Sequence, residues 1–276
     1  MKALFWTPGD SATEITLYQS GVSETQFLSD DEGWDNPPDK AIIQATTDAY
    51  EEYDAGVGFE ARVYMARFQL VSQALDSLIR TWNQNLLAAR GVGTLRHVAE
   101  DGVTRYLRAR PQRGQWGQRK GDGAQVAQSW IAASPWWYGA AETASGTFNA
   151  DTPVAIACTN NGWLSARPWF LITGVVHTPK ITNAAGEVIE INKATVNADD
   201  ILLIDCRLGN PKATYWAHGT GYPTVASGVA WSNWRTNATM FWRLAAGASN
   251  VTIQGATGQT STATCAVSWT PLYGSL

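Results

Sequence analysis

A chain of 276 residues with a hydrophobic share of 45% is long enough for one large β domain or two ordinary ones, and it needs no staples to fold. Its net charge of −4 argues against general nucleic-acid binding, which rests on clustered Lys and Arg neutralising phosphates. Cys158, Cys206 and Cys265 lie far apart and encode neither a disulfide framework nor a zinc knuckle, so they read as buried apolar thiols.

The chain begins "MKALFWTPGD", where a Pro-Gly break precedes any long apolar run; no signal peptide is expected, and synthesis is expected in a cytoplasm. No apolar run approaches the roughly 20 residues needed to cross a bilayer, so membrane insertion is not expected. Up to Glu60 the chain is strongly acidic, most densely in "SDDEGWDNPPD" and "DAYEEYDAG". From Arg62 to Lys120 the balance reverses. The run "FEARVYMARFQL" alternates with β-branched and aromatic residues and predicts a strand. It feeds a helix over 72–90: Ser72 serves as N-cap, Leu75, Leu78, Ile79, Trp82 and Leu86 recur at steps of three and four, and Arg90-Gly91 closes the last turn. "TLRHVAE" and "VTRYLRARP" flank an Asp101-Gly102 turn and predict a hairpin.

After Tyr138 charge becomes sparse and Thr, Asn, Ala and Gly dominate, which puts a domain boundary near Ser134 to Gly139, between domains 1–137 and 138–276. Beyond it come short alternating runs: "TPVAIACT", "PWFLITG", "EVIEINK", "DILLIDC", "TMFWRL", "NVTIQ" and "TATCAVSW". Asn and Gly clusters separate them, beginning with Asn160-Asn161-Gly162. This punctuation predicts an antiparallel β-sandwich. In "PWFLITG" both faces are apolar at the start, which predicts a strand covered on two sides.

No catalytic site is legible. His97, His177 and His218 show no metal-ligand spacing, and neither a nucleophile elbow nor a phosphate loop occurs. Asp200 and Asp205 bracket "ILLI" and could serve a glycosidase as acid and base, but a separation of five along a strand sends them to opposite faces. Glu187 and Glu190 read as the solvent face of a hairpin. No metal, cofactor or enzymatic activity is expected. The 14 tryptophans are the anomaly. Trp216, Tyr222, Trp231 and Trp234 fall in or beside loops rich in Asn, Thr and Gly, and Trp163 follows the Asn-Asn-Gly turn. A tryptophan face with amide neighbours suits a sugar ring, so these five are candidate partner or glycan contacts. The plugged ends of a sandwich or a subunit contact suit them better still.

The order of features in the second half resembles one family. "SPWWYG" ends the first domain, and "FNADTPVAIACTNNGWLSARPWFLITG" follows as a strand, an Asn-rich turn, and a strand opened by Pro and closed by Gly. Then come "PKITNAAGE", "DDILLIDC", "FWRLAAGASNVTI" and a closing "AVSWTPLYG". This succession is similar to the distal tail protein of long-tailed, siphovirus-type bacteriophages. The resemblance covers most of the chain, with its specificity between Ser134 and Gly274. It implies a mainly β protein: an N-terminal α+β ring-forming domain, a β-barrel-like sheet plus one helix, followed by a C-terminal galectin-like antiparallel β-sandwich. It implies a structural virion component in a homohexameric ring at the tail tip, joining the tail tube protein to the tail-tip hub protein and to receptor-binding proteins. The genome would pass through the channel without specific binding. Head-to-tail contacts in such a ring suit complementary charge, which the acidic segment before Glu60 and the arginine-rich segment after it would supply. The excess of tryptophan departs from the family, and it keeps open the alternative of a carbohydrate-binding sandwich that recognises host cell-surface glycans.

Overall fold

The computed structural model describes residues 3–9, 13–20, 25–32, 39–41, 57–59, 62–87, 91–99, 102–112, 114–132, 134–149, 151–191, 195–207, 212–217, 222, 234–236, 242–257 and 261–274. The protein is mainly β, with one helix among these residues. It divides into two compact units: Met1–Gly139 together with Tyr273–Leu276, and Ala140–Leu272.

The first unit contains β1 (Ala3–Thr7), β2 (Ile15–Gln19), β3 (Thr25–Glu32), β4 (Asp39–Ala41), β5 (Val57–Phe59), β6 (Arg62–Val71), α1 (Leu75–Leu87), β7 (Gly93–Val98), β8 (Thr104–Pro111), β9 (Gln115–Lys120), β10 (Gly123–Ala132) and β11 (Trp137–Tyr138). Seven strands follow the antiparallel path β2-β1-β7-β8-β10-β6-β3, with β9 on β10 and β11 on β8, while β4 and β5 pair separately. Period-two patterning decides which face is inside. In β6, Tyr64, Ala66, Phe68 and Leu70 are fully buried, whereas Val63 and Arg67 face out. The ten-residue register with β10 brings Ala124, Val126, Gln128 and Trp130 onto the same inner face. Gln128 is tolerated there because its Nε2 donates to the carbonyls of Gln112 (2.6 Å) and Ser129 (2.9 Å).

The helix docks through Leu75, Trp82 and Leu86, and the Trp82 ring meets Phe68 at 5.2 Å. Ser72 sits ahead of its first turn and accepts the Ala74 N–H at 3.2 Å, and Asp76 in that turn pairs with Arg119 at 2.6 Å. The helix begins three residues later than the sequence pattern suggests, and the expected Arg90 ending lies outside the described residues. The β7-β8 hairpin closes through Ala99 N–H to Val103 O at 2.9 Å, with Gly102 at φ +87°. That left-handed position explains a glycine after Asp101. Trp82→Ala should remove about 3–5 kcal/mol of stability from this unit by leaving a cavity under α1. Thermal unfolding followed by circular dichroism checks it; an unchanged midpoint would refute the docking role.

The second unit contains β12 (Glu142–Thr147), β13 (Val154–Asn160), β14 (Trp169–Thr173), β15 (Val176–His177), β16 (Lys180–Thr182), β17 (Val188–Ile191), β18 (Thr195–Val196), β19 (Ile201–Asp205), β20 (Lys212–Trp216), β21 (Trp234–Thr236), β22 (Gly247–Gln254) and β23 (Thr264–Trp269). A further strand, β24 (Leu272–Tyr273), ends the described chain. Two five-stranded antiparallel sheets result, ordered β12-β23-β14-β19-β20 and β13-β22-β16-β17-β21. Their inner faces interleave in one core that includes Ile156, Phe170, Ile172, Leu202, Ile204, Val251, Ile253 and Val267. This is a β-sandwich. Outward, β14 carries Trp169 and Leu171, both half-buried, as the two apolar faces of "PWFLITG" lead one to expect. The run "TMFWRL" forms no strand among its described residues; Leu244 makes only an isolated bridge to Ala166. Gly146 in β12 has no room for a side chain, since an added Cβ would lie 2.8 Å from Ile156 Cγ1. Close packing of β12 over β13 therefore depends on a glycine.

Candidate functional site

The tryptophan excess resolves mostly into core. Eight of the 14, Trp6, Trp82, Trp130, Trp136, Trp137, Trp216, Trp242 and Trp269, are buried. Among the described residues one tryptophan is exposed: Trp163, at 53%. The loop that holds it is built from the end of β13. Asn160 is 1% exposed, and its Nδ2 donates to Leu164 O (2.9 Å), Ala245 O (3.3 Å) and Leu244 O (3.4 Å) while its Oδ1 accepts the Gly162 N–H at 3.0 Å. Gly162 presses on backbone: a Cβ there would meet Leu272 N at 2.6 Å and Leu272 O at 2.8 Å. Trp163 N–H then donates to Leu272 O at 2.8 Å. The indole is thus held out to solvent by a fully satisfied, tightly packed turn.

Beside that turn stands a carboxylate with both oxygens engaged. Asn161 Nδ2 donates to Glu142 Oε1, and Trp269 Nε1 donates to Glu142 Oε2, each at 2.7 Å. Asn161 is exposed and Glu142 half-buried. Glu142 pairs across β12 and β23 with Trp269, so sheet register and side-chain bonds fix the same carboxylate.

The other candidate contacts lie differently. Trp216 is only 4% exposed, because β20 pairs in register with β19, Ile201 opposite Trp216, and builds it into the sheet; the loop reading of "YWAHGT" missed this strand. Tyr222 is 39% exposed and sets its ring edge-on against Trp216 at 5.2 Å. Trp234 lies in β21, its backbone opposite Ile191, and Trp231 lies outside the described residues. Of the five, the described side chains bring Trp216 and Tyr222 together.

The acidic candidates are each held by their own donors. Asp200, 1% exposed, accepts bonds from the Asn197 backbone (2.8 Å), from Asn197 Nδ2 (2.7 Å) and from the Tyr215 hydroxyl. Burial, then the bond to Asp200, pushes the Tyr215 phenol up to about 12. Asp205 forms a two-point pair with Arg207 (2.9 and 2.7 Å), whose guanidinium lies 4.5 Å above the Trp169 ring. Buried Asp200 and half-buried Asp205 sit at the two ends of one strand, each held by donors of its own. Glu187 takes the Asn183 side-chain amide at 2.7 Å. His97 is buried at 6% near Trp137, and no three His, Cys, Asp or Glu residues group to hold a metal among the described residues. Burial pushes the Cys158, Cys206 and Cys265 thiols up to about 11, 12 and 12. Protonated thiols of that kind are inert. No helix among the described residues is long and apolar enough to cross a membrane.

On the first unit, Arg96 pairs with Glu14 (Nε to Oε2, 2.7 Å) and covers the Phe5 ring at 3.8 Å. Much of the acidic stretch between Asp30 and Glu60 lies outside the described residues.

No protein-family model and no curated protein matches the sequence. Among solved structures, the chain is similar to the crystal structure of the SPP1 Dit (gp 19.1) protein, a paradigm of hub adsorption apparatus in Gram-positive-infecting phages: TM-score 0.53, 11% identity, 97% of this chain and 93% of that chain covered. A second likeness is to the phage P2 baseplate in its activated conformation, at TM-score 0.45 and 9% identity over 97% of each chain. The chain shares the fold of the first.

Proposed function

We propose that this chain is a structural protein of a bacteriophage virion: a homohexameric ring at the distal end of a tail, joining the tail tube protein to the tail-tip hub protein and to receptor-binding proteins. The observation that carries this is the fold shared with the SPP1 hub protein along 97% of the chain, through both units. The ordered motifs from Ser134 to Gly274 support it independently, because fold likeness at 11% identity does not draw on them. The reading assigns no catalysis and no cofactor. Its place is the tail tip, after synthesis in the bacterial host, with the genome passing through the ring unbound.

A cyclic ring uses head-to-tail interfaces, and opposite charge in the two halves of the first unit suits them. Light scattering on the full chain, alone and mixed with its tail tube protein, tests the assembly. The expected mass is six times 29.9 kDa, falling toward the monomer as salt rises. A monomer at high micromolar concentration under both conditions overturns the ring.

A further inference from the structure

We propose that the Trp163 turn of the sandwich is a subsite for a neutral pyranose sugar. This goes beyond the ring assembly and does not depend on it, since the turn is built wholly within the second unit. Trp163 is exposed at 53%, whereas eight other tryptophans are buried and Trp116 and Trp169 are half-buried. A single exposed aromatic is unremarkable on a floppy loop. Here the loop is over-determined: buried Asn160 bonds four backbone groups, and Gly162 fits only without a side chain. Fixing the backbone that carries the indole lowers the entropy lost on binding.

The polar groups of the same turn select the ligand class. Asn161 and Glu142 present oxygen acceptors, and each Glu142 oxygen already takes one N–H, leaving lone pairs for further donors. No cation of the described residues bonds to this carboxylate, and its negative charge repels a phosphate or sulfate. A neutral pyranose fits both halves: its C–H face lies on the indole and its hydroxyl edge donates to the acceptors. A lone quaternary ammonium group is served less well, because a cation site needs rings on several sides.

Nuclear magnetic resonance on the full chain with labelled indole N–H groups tests this, with methyl β-D-galactopyranoside, maltotriose, chitotriose and choline chloride as probes. At least one saccharide should shift the indole signal that disappears in Trp163→Phe, with a Kd of about 1–10 mM. Trp163→Ala should weaken that saccharide at least tenfold, and Trp163→Tyr should recover part of the affinity. Glu142→Gln should weaken it less than Trp163→Ala. Because Trp163 is exposed, Trp163→Ala should leave the circular dichroism spectrum and melting midpoint unchanged. The proposal is overturned if no saccharide moves the Trp163 signal up to 20 mM (roughly twice the weakest expected Kd), if Trp163→Ala binds as wild type does, or if choline alone binds there. Oligomer mass measured on the same variants separates this from the assembly reading, since sugar binding and ring formation fail independently.

Discussion

Replacing Asp200 with alanine is expected to cost the sandwich about 3–5 kcal/mol, the penalty for stripping one partner from a buried, charged hydrogen-bond set. Asp200 is 1% exposed, and three donors converge on it: the Asn197 backbone N–H, the Asn197 side-chain amide and the Tyr215 hydroxyl. Removing the carboxylate leaves all three facing a cavity that cannot satisfy them. Tyr215→Phe removes one donor and keeps the acceptor's other bonds, so it should cost about 1 kcal/mol. The double variant should cost less than the sum, because the two side chains share one bond. Urea unfolding of the four proteins measures the coupling; strict additivity would mean that the Tyr215–Asp200 contact contributes nothing. Asp200→Asn is the sharper control, since it keeps the shape and turns an amide N–H₂ toward donors. It should be nearly as damaging as alanine.

Alkaline solution should unfold the sandwich well before it would an ordinary domain. The Cys158, Cys206 and Cys265 thiols stand near 11, 12 and 12 in the folded chain against an ordinary 9.0, chiefly through burial. Tyr215 stands near 12 against 10.0, through burial and the bond to Asp200. The folded form therefore holds these protons more tightly than the unfolded chain does. Stability is complete below about pH 9, where both states are protonated, and it drains away between pH 9 and 12 as the unfolded chain releases protons first. The loss should reach the order of 10 kcal/mol by pH 11.5, most of it from the three thiols. Replacing all three cysteines with alanine should remove most of this slope. Urea midpoints at pH 8.5 and 11.5 for both proteins check it; equal slopes in the two would rule out the thiols as the cause. At pH 8, the three thiols should react with a thiol reagent only after denaturant is added.

How much of this could be read in advance varied with the kind of residue that builds each element. The β14 and β19 strands announce themselves as short apolar runs bounded by turn residues, and β22 and β23 by apolar and polar residues that alternate as burial in a sandwich does. β12, "ETASGT", carries no apolar run; its place is set by pairing with β23 and by the missing side chain of Gly146. β20 was obscured for the opposite reason. Aromatics near Gly and Asn read as a loop, yet register with β19 makes Trp216 a strand residue and buries it. The Asn160-Asn161-Gly162 turn and the exposure of Trp163 were legible, since turn chemistry is local. The link from Asn161 to Glu142 was not, because it joins residues 19 apart through sheet register. The opposite faces of Asp200 and Asp205 followed from strand period alone, whereas the burial of Asp200 depends on Tyr215, which only the fold brings near.

The second unit interrupts the first, which resumes at Tyr273. The Arg105 guanidinium lies 4.6 Å over that ring. During synthesis, therefore, the ribosome must release the whole second unit before the first can acquire one of its own aromatic partners. The first unit would wait, nearly complete, for some 130 residues, at a pace of about 5–20 residues per second. Completion of the first unit thus reports that the second has already been made.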